Sequence, residues 1–418
     1  MTNHNHRKRV VITGMGAISP IGLDARSTWE GLLAGRVGVD RITDYDVSEL
    51  PTKVVALVRD FDPLQYLSRK EARRMGRVTH LAIASTEEAI ANAALDLEAE
   101  DLMRVGIEMG SAFGALSTLE DQVMIRETRG LKATNPTLAP SVLISTTPSI
   151  IAIRHGIQGP VNSPVVACAT GVYSLGSAAR RIQNGEADVM LAGGTDAYTS
   201  QIIIFSFSKL GAMTKRNDEP ETAIRPFDLE RDGMTVGEGA VTMVLESLEH
   251  AQARGATILA EYGGMGFTSD AFHLAAPEPE GVGAGRAMKL ALEESGLEPQ
   301  AVDYVAAHGT ATKLNDPSET KAIKYALGEH AYNIPVSSIK PMIAHVMGAA
   351  GSFGALTIIE AIRSGWVPPT LNYSVPDPDC DLDYVPNEAR QVQVNAGMTN
   401  AFGFGGQNAS LLIKRFVE

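Results

Sequence analysis

Short apolar runs alternate with segments of helical period along almost the whole chain. Residues 9–14, 105–110, 187–192, 239–245, 258–262, 302–307, 335–339, 394–399 and 409–414 read as strands. Residues 29–33, 68–94, 247–254 and 349–363 read as helices, and 135–148, with three prolines, as loop. The alternation predicts an α/β layered fold. One stretch, 161–185, is patterned most sharply. Val165-Val166-Ala167 reads as a buried strand, and Val172, Leu175, Ala179 and Ile182 then fall on one helix face. Gly185 closes that helix where a left-handed residue is wanted. Cys168 therefore lies on a sharp strand-to-helix turn, where free N–H groups and the helix dipole favour a thiolate.

The second half has a similar plan. The strand at 302–307 ends at His308-Gly309-Thr310. Asp316, Pro317 and Glu319 have the spacing of an N-cap, a first-turn proline and a capping box. The strand at 335–339 is followed by Lys340 and His345, then by a Gly/Ala-rich helix ending at Ser364-Gly365. That helix resembles the one after Cys168 in composition, length and glycine stop, a weak hint of internal duplication. AFGFGGQN, between the last two strands, is a glycine loop carrying Phe402 and Phe404. Small residues at 111–115 would line a cavity, with Phe113 projecting into it or filling core. GMGAISPIG near the N-terminus is not read as a dinucleotide loop. It lacks a third glycine in register, Pro20 interrupts the expected helix, and no acidic residue follows at the right distance.

Bulk properties narrow the class. The chain has 418 residues, 44% hydrophobic and 20% charged, which fits a globular enzyme of two or three domains. A net charge of −13 disfavours nucleic acid or an anionic membrane as partner. An acidic partner would need a local basic patch, for which SRKEARRMGR is the candidate; the plainer reading is a solvated face. Two cysteines, Cys168 and Cys380, imply no disulfide framework. With no signal-peptide core and no membrane-length apolar run, the expected location is cytoplasmic.

Cys168, His308 and His345 each stand near a strand end beside glycine or a turn, the pattern of a shared active site. One such histidine alone would more often be a core residue. A Cys and two His without close ligand pairing make a poor metal site, so no metal is expected. A cysteine protease would need Cys, one His and an Asn or Asp, but neither a second strand-end His nor a lysine five residues before it. A pure binding module has no use for the three.

Four of these stretches carry a resemblance. VVACATG, VAAHGTATKLND, VSSIKPMIAHVMGAAG and NAFGFGGQN resemble the motifs of the β-ketoacyl-acyl-carrier-protein synthases, in the family order, and the likeness spans nearly the whole chain. The fold it implies is thiolase-like, two similar halves in a layered α-β-α-β-α core, here 1–255 with the nucleophile and 256–418 with both histidines, and commonly dimeric. The reaction implied is decarboxylative Claisen condensation of malonyl-carrier protein with an acyl group on Cys168. Backbone N–H groups of Cys168 and Phe404 would form the oxyanion hole, with Gly403 and Gly405 freeing Phe404 to swing. His308 and His345 would stabilise the enolate. Lys340 and Glu319, with Asp316 nearby, would form a supporting buried ion pair. Thr310 and Thr312 would bind the phosphopantetheine arm, and Lys70, Arg73 and Arg74 would dock an acidic acyl carrier protein. No cofactor of the enzyme's own is implied. Phe113, where long-chain enzymes of this kind carry a smaller aliphatic residue, would pack on Phe404 and limit the acyl chain.

The sequence departs from the pattern at Ala344, which stands where the family has glycine before the histidine, and at Pro341. Ser-Ser-Ile-Lys at 337–340 and Ala-Pro-Ser-Val at 139–142 resemble ketosynthase α subunits of type II polyketide systems, whereas CATG and GFGG are closer to fatty-acid enzymes. The partner is thus another copy or a homologous chain-length factor. Two alternatives are weaker. A chain-length factor itself typically lacks the nucleophile. A degradative thiolase would use a second cysteine near the C-terminus, and Cys380 lies in PDPDCDLD, outside the glycine motif.

Overall fold

The computed structural model describes residues 7–197 and 200–418. Ten strands form one mixed sheet. In chain order they are β1 (Val10–Ile18), β2 (Val105–Gly110), β3 (Val161–Asn162), β4 (Val189–Asp196) and β5 (Gly239–Ser247). Then come β6 (Ala260–Ser269), β7 (Tyr304–Ala306), β8 (Val336–Ser337), β9 (Ala396–Gly403) and β10 (Gln407–Lys414). The spatial order is β8-β7-β9-β10-β6-β1-β5-β4-β2-β3. Counted outward from the centre, each half runs first, fifth, fourth, second, third strand. The directions repeat too: antiparallel, antiparallel, parallel, parallel in both halves. The halves meet where β1 pairs antiparallel with β6. The duplication hinted at by two similar helices is therefore written through the whole sheet.

Five helices complete the layers: α1 (Arg77–Asn92), α2 (Thr170–Gln183), α3 (Val282–Ser295), α4 (Asn315–Leu327) and α5 (Ala350–Ser364). α1 packs on strands of the first half and α3 on strands of the second. α2 and α5 touch each other and strands of both halves, giving the expected α-β-α-β-α layering. Their side chains centre the largest apolar cluster, with Val172, Leu175, Ile182, Phe353, Leu356 and Ile359. Close approach there requires glycine. A Cβ at Gly171 would lie 2.5 Å from Ser352 Oγ of α5. The glycines of GMGAISPIG serve packing too: a Cβ at Gly16 would lie 2.0 Å from the Ser85 carbonyl of α1.

Several expectations change. Residues 68–94 are not one helix. A turn at Arg69–Ala72 ends, Gly76 is extended, and α1 begins at Arg77. Gly76 is pinned there against Ala115, where a Cβ would lie 2.6 Å from Ala115 Cβ. Residues 135–148 hold a helix at Leu138–Val142 and the start of another at Thr146–His155, with Pro140 and Pro148 in first turns that tolerate them. Val165–Ala167 is no buried strand: Val165 is exposed and Ala167 has φ +49. Asp316 and Glu319 form no capping box. α4 starts at Asn315, and both carboxylates, buried, are drawn to backbone N–H groups of other loops.

Candidate active site

The turn before α2 is made by its own neighbours. Ala167 takes a left-handed conformation, and the Thr170 hydroxyl accepts from Val166 N–H at 2.9 Å while donating to the Ala167 carbonyl at 2.7 Å. Cys168 thus stands at an elbow two residues before the helix. Its own backbone N–H and that of Phe404 favour the ionised sulfur. Gly403 makes this approach possible: a Cβ there would lie 3.2 Å from Cys168 N and 2.9 Å from the Val166 carbonyl. Cys168 keeps some accessible surface, but its sulfur is enclosed, and burial pushes the thiol up to about 12. The Lys340 charge and the two N–H groups pull the other way and lose. The resting group is a thiol, which corrects the expected thiolate: desolvation outweighs the elbow.

His308 follows β7. Its N–H donates to Glu319 Oε1 at 2.7 Å, the next N–H, of Gly309, to Glu319 Oε2 at 2.7 Å, and its carbonyl accepts from Lys340 Nζ. Lys340 and Glu319 are therefore not a direct ion pair among the described residues. They grip the His308 peptide from either side. Asn400 adds a bond to Glu319 at 3.3 Å. Asp316 stands further back, accepting from Phe227 N–H at 2.7 Å. His345 does not end a strand. It follows a helical turn at Lys340–Ile343 that contains Pro341, and then Ala344, whose φ of +58 glycine would take more easily. Its N–H donates to the Thr235 carbonyl at 2.9 Å, and its carbonyl accepts from Gly237 N–H at 3.0 Å. The two imidazoles lie edge to face, 5.3 Å between centroids. Both Nδ1 atoms are buried without a partner among the described residues. Burial, with the Lys340 charge, holds both rings well below the ordinary histidine range, so both are neutral near pH 7. Burial also lowers Lys340 to about 8 and raises Glu319 to about 7.

Cys168, His308 and His345 line one cavity of about 80 Å³, with Thr310, Thr312, Phe402, Gly403, Phe404 and Met347. The Thr310 and Thr312 hydroxyls are 3.0 Å apart. An outer funnel of about 360 Å³ shares Thr312 and Phe404 with it and carries Lys215, Lys313 and Leu314 at its mouth. A larger groove of about 1130 Å³, past Arg36, Arg41 and Arg59, holds none of the three. Gly405, with φ +84, has open space around it. Phe113 does not stack on Phe404 directly. Phe207 stands between them, edge-on to Phe113 at 6.2 Å and tilted to Phe404 at 5.8 Å. Cys380 is buried in a separate cluster of the second half, away from the cavity. Lys70, Arg73 and Arg74 are exposed on and just after the turn at Arg69–Ala72, outside the cavity lining. Sequence reasoning missed Phe207, Met347, Asn400 and Asp196. All but Phe207 had a signal, each beside a glycine-rich turn.

Comparison with known proteins shows which family the whole chain resembles. The model for the beta-ketoacyl synthase N-terminal domain matches residues 7–251, and that for the C-terminal domain matches 259–374. A 3-oxoacyl-[acyl-carrier-protein] synthase 2 from Synechocystis sp. is 44% identical over 98% of this chain and 99% of its own. Among solved structures, the ishigamide ketosynthase/chain length factor has a TM-score of 0.92 at 36% identity, covering 98% of this chain and all of that one. A ketosynthase bound to its type II polyketide acyl-carrier protein has a TM-score of 0.89 at 31% identity, again over 98% of this chain and all of its own.

Proposed function

We propose, for a chain that belongs to the β-ketoacyl synthase family, that Cys168 is the acylated nucleophile and that His308 and His345 serve the decarboxylation that follows. The reaction is that of a β-ketoacyl-[acyl-carrier-protein] synthase of a type II system. The observation that carries the assignment is the one cavity shared by the thiol, both neutral imidazoles and the two N–H groups of Cys168 and Phe404.

The steps follow from the groups. Cys168 sulfur attacks the acyl thioester, and the thiol proton leaves on the departing pantetheine sulfur. The Cys168 and Phe404 N–H groups stabilise the tetrahedral oxyanion. Malonyl thioester then loses CO₂, and the enolate oxygen is held by the two histidines. The enolate carbon attacks the acyl–Cys168 carbonyl, forming the carbon–carbon bond and breaking the carbon–sulfur bond, and the sulfur leaves as a thiolate that takes a proton from solvent. No metal or cofactor of the enzyme's own is needed, since the substrates arrive on phosphopantetheine. Thr310, in the cavity, and Thr312, shared by cavity and funnel, bind that arm. Lys70, Arg73 and Arg74 offer the basic patch for an acidic carrier.

A second chain of this fold, another copy or a homologous chain-length factor, covers the face beyond β3. The helix at Leu116–Arg129 buries none of its residues and exposes Leu119, Val123 and Met124, while both residues of edge strand β3 are exposed. The halves divide at 255 and 256, between β5 and β6. No helix among the described residues is long and apolar enough to cross a membrane, and two unpaired cysteines fit a cytoplasmic setting.

Wild type and Cys168→Ala, each incubated with acyl-carrier protein and digested, test the assignment by peptide mass. The acyl group should sit on the Cys168 peptide and be absent from the variant. Acyl on Cys380 with Cys168 free would overturn it.

A further inference from the structure

Asp196, the last residue of β4, is fully buried, and no described cation pairs with it. Burial raises its carboxyl to about 6, although four donors converge on it. Oδ1 accepts from Ser111 Oγ at 2.6 Å and from Phe113 N–H at 3.4 Å. Oδ2 accepts from Ala112 N–H at 3.1 Å and Gly348 N–H at 2.6 Å.

The donors belong to two different loops. Ser111, Ala112 and Phe113 leave the end of β2, and the Ser111 oxygen also accepts from Gly114 N–H at 2.8 Å. Gly348 lies in the turn just after His345. Its neighbour Met347 has φ +37 and places Sδ 3.9 Å from Cys168 Sγ. The loops press together across the carboxylate: a Cβ at Gly348 would lie 2.6 Å from Asp196 Oδ2 and 2.7 Å from Ala112 N. Phe113, Met347, Cys168 and Phe207 share one apolar cluster. The carboxylate is also near enough for its charge to oppose ionisation of the Cys168 thiol. A buried carboxylate without a cation is costly unless its lone pairs are filled, and these are filled by the two loops that shape the site.

We propose that Asp196 is a positioning residue that ties the Ser111–Phe113 loop, behind Phe207 of the cavity lining, to the Met347–Gly348 turn beside Cys168 and His345, and that Phe113 bounds the acyl chain. The primer pocket and the decarboxylation site are then set by one side chain. The inference rests on the roles proposed for Cys168 and His345.

The test uses the full-length wild type, Asp196→Asn and Ser111→Ala. Two readouts are compared: the ratio of kcat/KM for Cys168 acylation by C2 and C8 acyl-carrier protein, and kcat and KM for CO₂ release from malonyl-carrier protein. Asp196→Asn should shift the ratio several-fold and lower kcat of CO₂ release about tenfold with little change in KM, the mark of misplacement rather than lost binding. Ser111→Ala, which keeps the Gly348 bond and removes only one donor, should shift the ratio with a smaller loss of kcat. Global destabilisation would move both readouts together and lower the melting temperature in proportion. Either variant, folded and with the wild-type ratio, overturns the inference alone. A wild type that takes no acyl group on Cys168 overturns the functional reading and the inference with it.

Discussion

The turn that carries Cys168 is shaped mainly by residues beside it in sequence, whereas His308 and His345 are gripped by groups from other segments. The elbow itself is built by the left-handed Ala167 and the Thr170 hydroxyl, and only Gly403 and Phe404 close on it from the other half. His308 depends on Glu319, Lys340 and, through Glu319, Asn400. His345 depends on the backbone of Thr235 and Gly237. The supports differ in kind as well. Backbone N–H groups do not titrate, but Glu319 near 7 and Lys340 near 8 do. The turn at Cys168 is thus mostly local in origin, while groups that titrate near neutrality grip the His308 peptide.

The largest effect should separate the halves outright. His308→Ala or His345→Ala should lower CO₂ release from malonyl-carrier protein by about 10²–10³-fold, the usual cost of an oxyanion donor, and leave acylation of Cys168 measurable. Acylation lost in parallel with CO₂ release would mean that the halves are not separable.

The next effect lies on the Cys168 side. Phe113→Ala should raise acylation by C8 carriers relative to C2 by up to about 100-fold, since three or four newly accommodated methylenes recover about 2–3 kcal/mol. CO₂ release should change little. The path to Phe113 runs past Phe404 and Phe207, so both rings must yield first. An unchanged chain-length preference would assign Phe113 to core filling.

What could be read from sequence follows the same division. The turn at Cys168, though not the strand expected before it, and the α2 face are legible because their determinants lie within one short segment. The repeated strand order could only be hinted at, since β1 and β6 meet across about 250 residues. Glu319 shows the limit best. Its spacing from Asp316 is that of a capping box, yet both side chains are buried, and the N–H groups that claim them come from Phe227, His308 and Gly309. Nothing in the local spacing distinguishes these outcomes. Val165–Ala167 failed for another reason: three apolar residues cannot reveal that the third turns left-handed.

Glu319→Gln probes the soft support directly. An amide offers one acceptor where the carboxylate offers two, so one N–H of His308 or Gly309 loses its partner. A lost charge-assisted bond of about 1–3 kcal/mol predicts roughly a tenfold fall in CO₂ release, with acylation spared. The pH dependence has a definite sign. The carboxyl is raised from 4.5 to about 7 by burial, so its stabilising contribution is complete below 4.5 and is lost as pH rises through about 7. The urea midpoint of wild type should therefore drop relative to Glu319→Gln between pH 5 and 8. CO₂ release should rise over the same range as the ionised form tightens its grip, a limb the variant lacks. The histidines, neutral well below 6.5, should add no limb there. A limb near 7 retained in Glu319→Gln would move that titration to another group, whereas one near 6 belongs to Asp196.

The smallest effect should ignore the division between the halves. Acyl and malonyl groups arrive on the same kind of carrier, so a docking patch must serve both steps equally. Lys70, Arg73 and Arg74 are exposed, and no described carboxylate pairs with them, which leaves their charge free for a partner. Exposed ion pairs contribute only about 0.2–1 kcal/mol each, so reversing all three to Glu predicts a rise in KM of roughly tenfold, the same for acyl- and malonyl-carrier protein. The rise should shrink with added salt, because the screening length falls from about 10 Å at 0.1 M to about 3 Å at 1 M. Acylation by a small soluble thioester, which carries no acidic protein, should be unaffected. Unequal rises in KM would place the patch on one half of the reaction. No rise at low salt would return it to an ordinary solvated face.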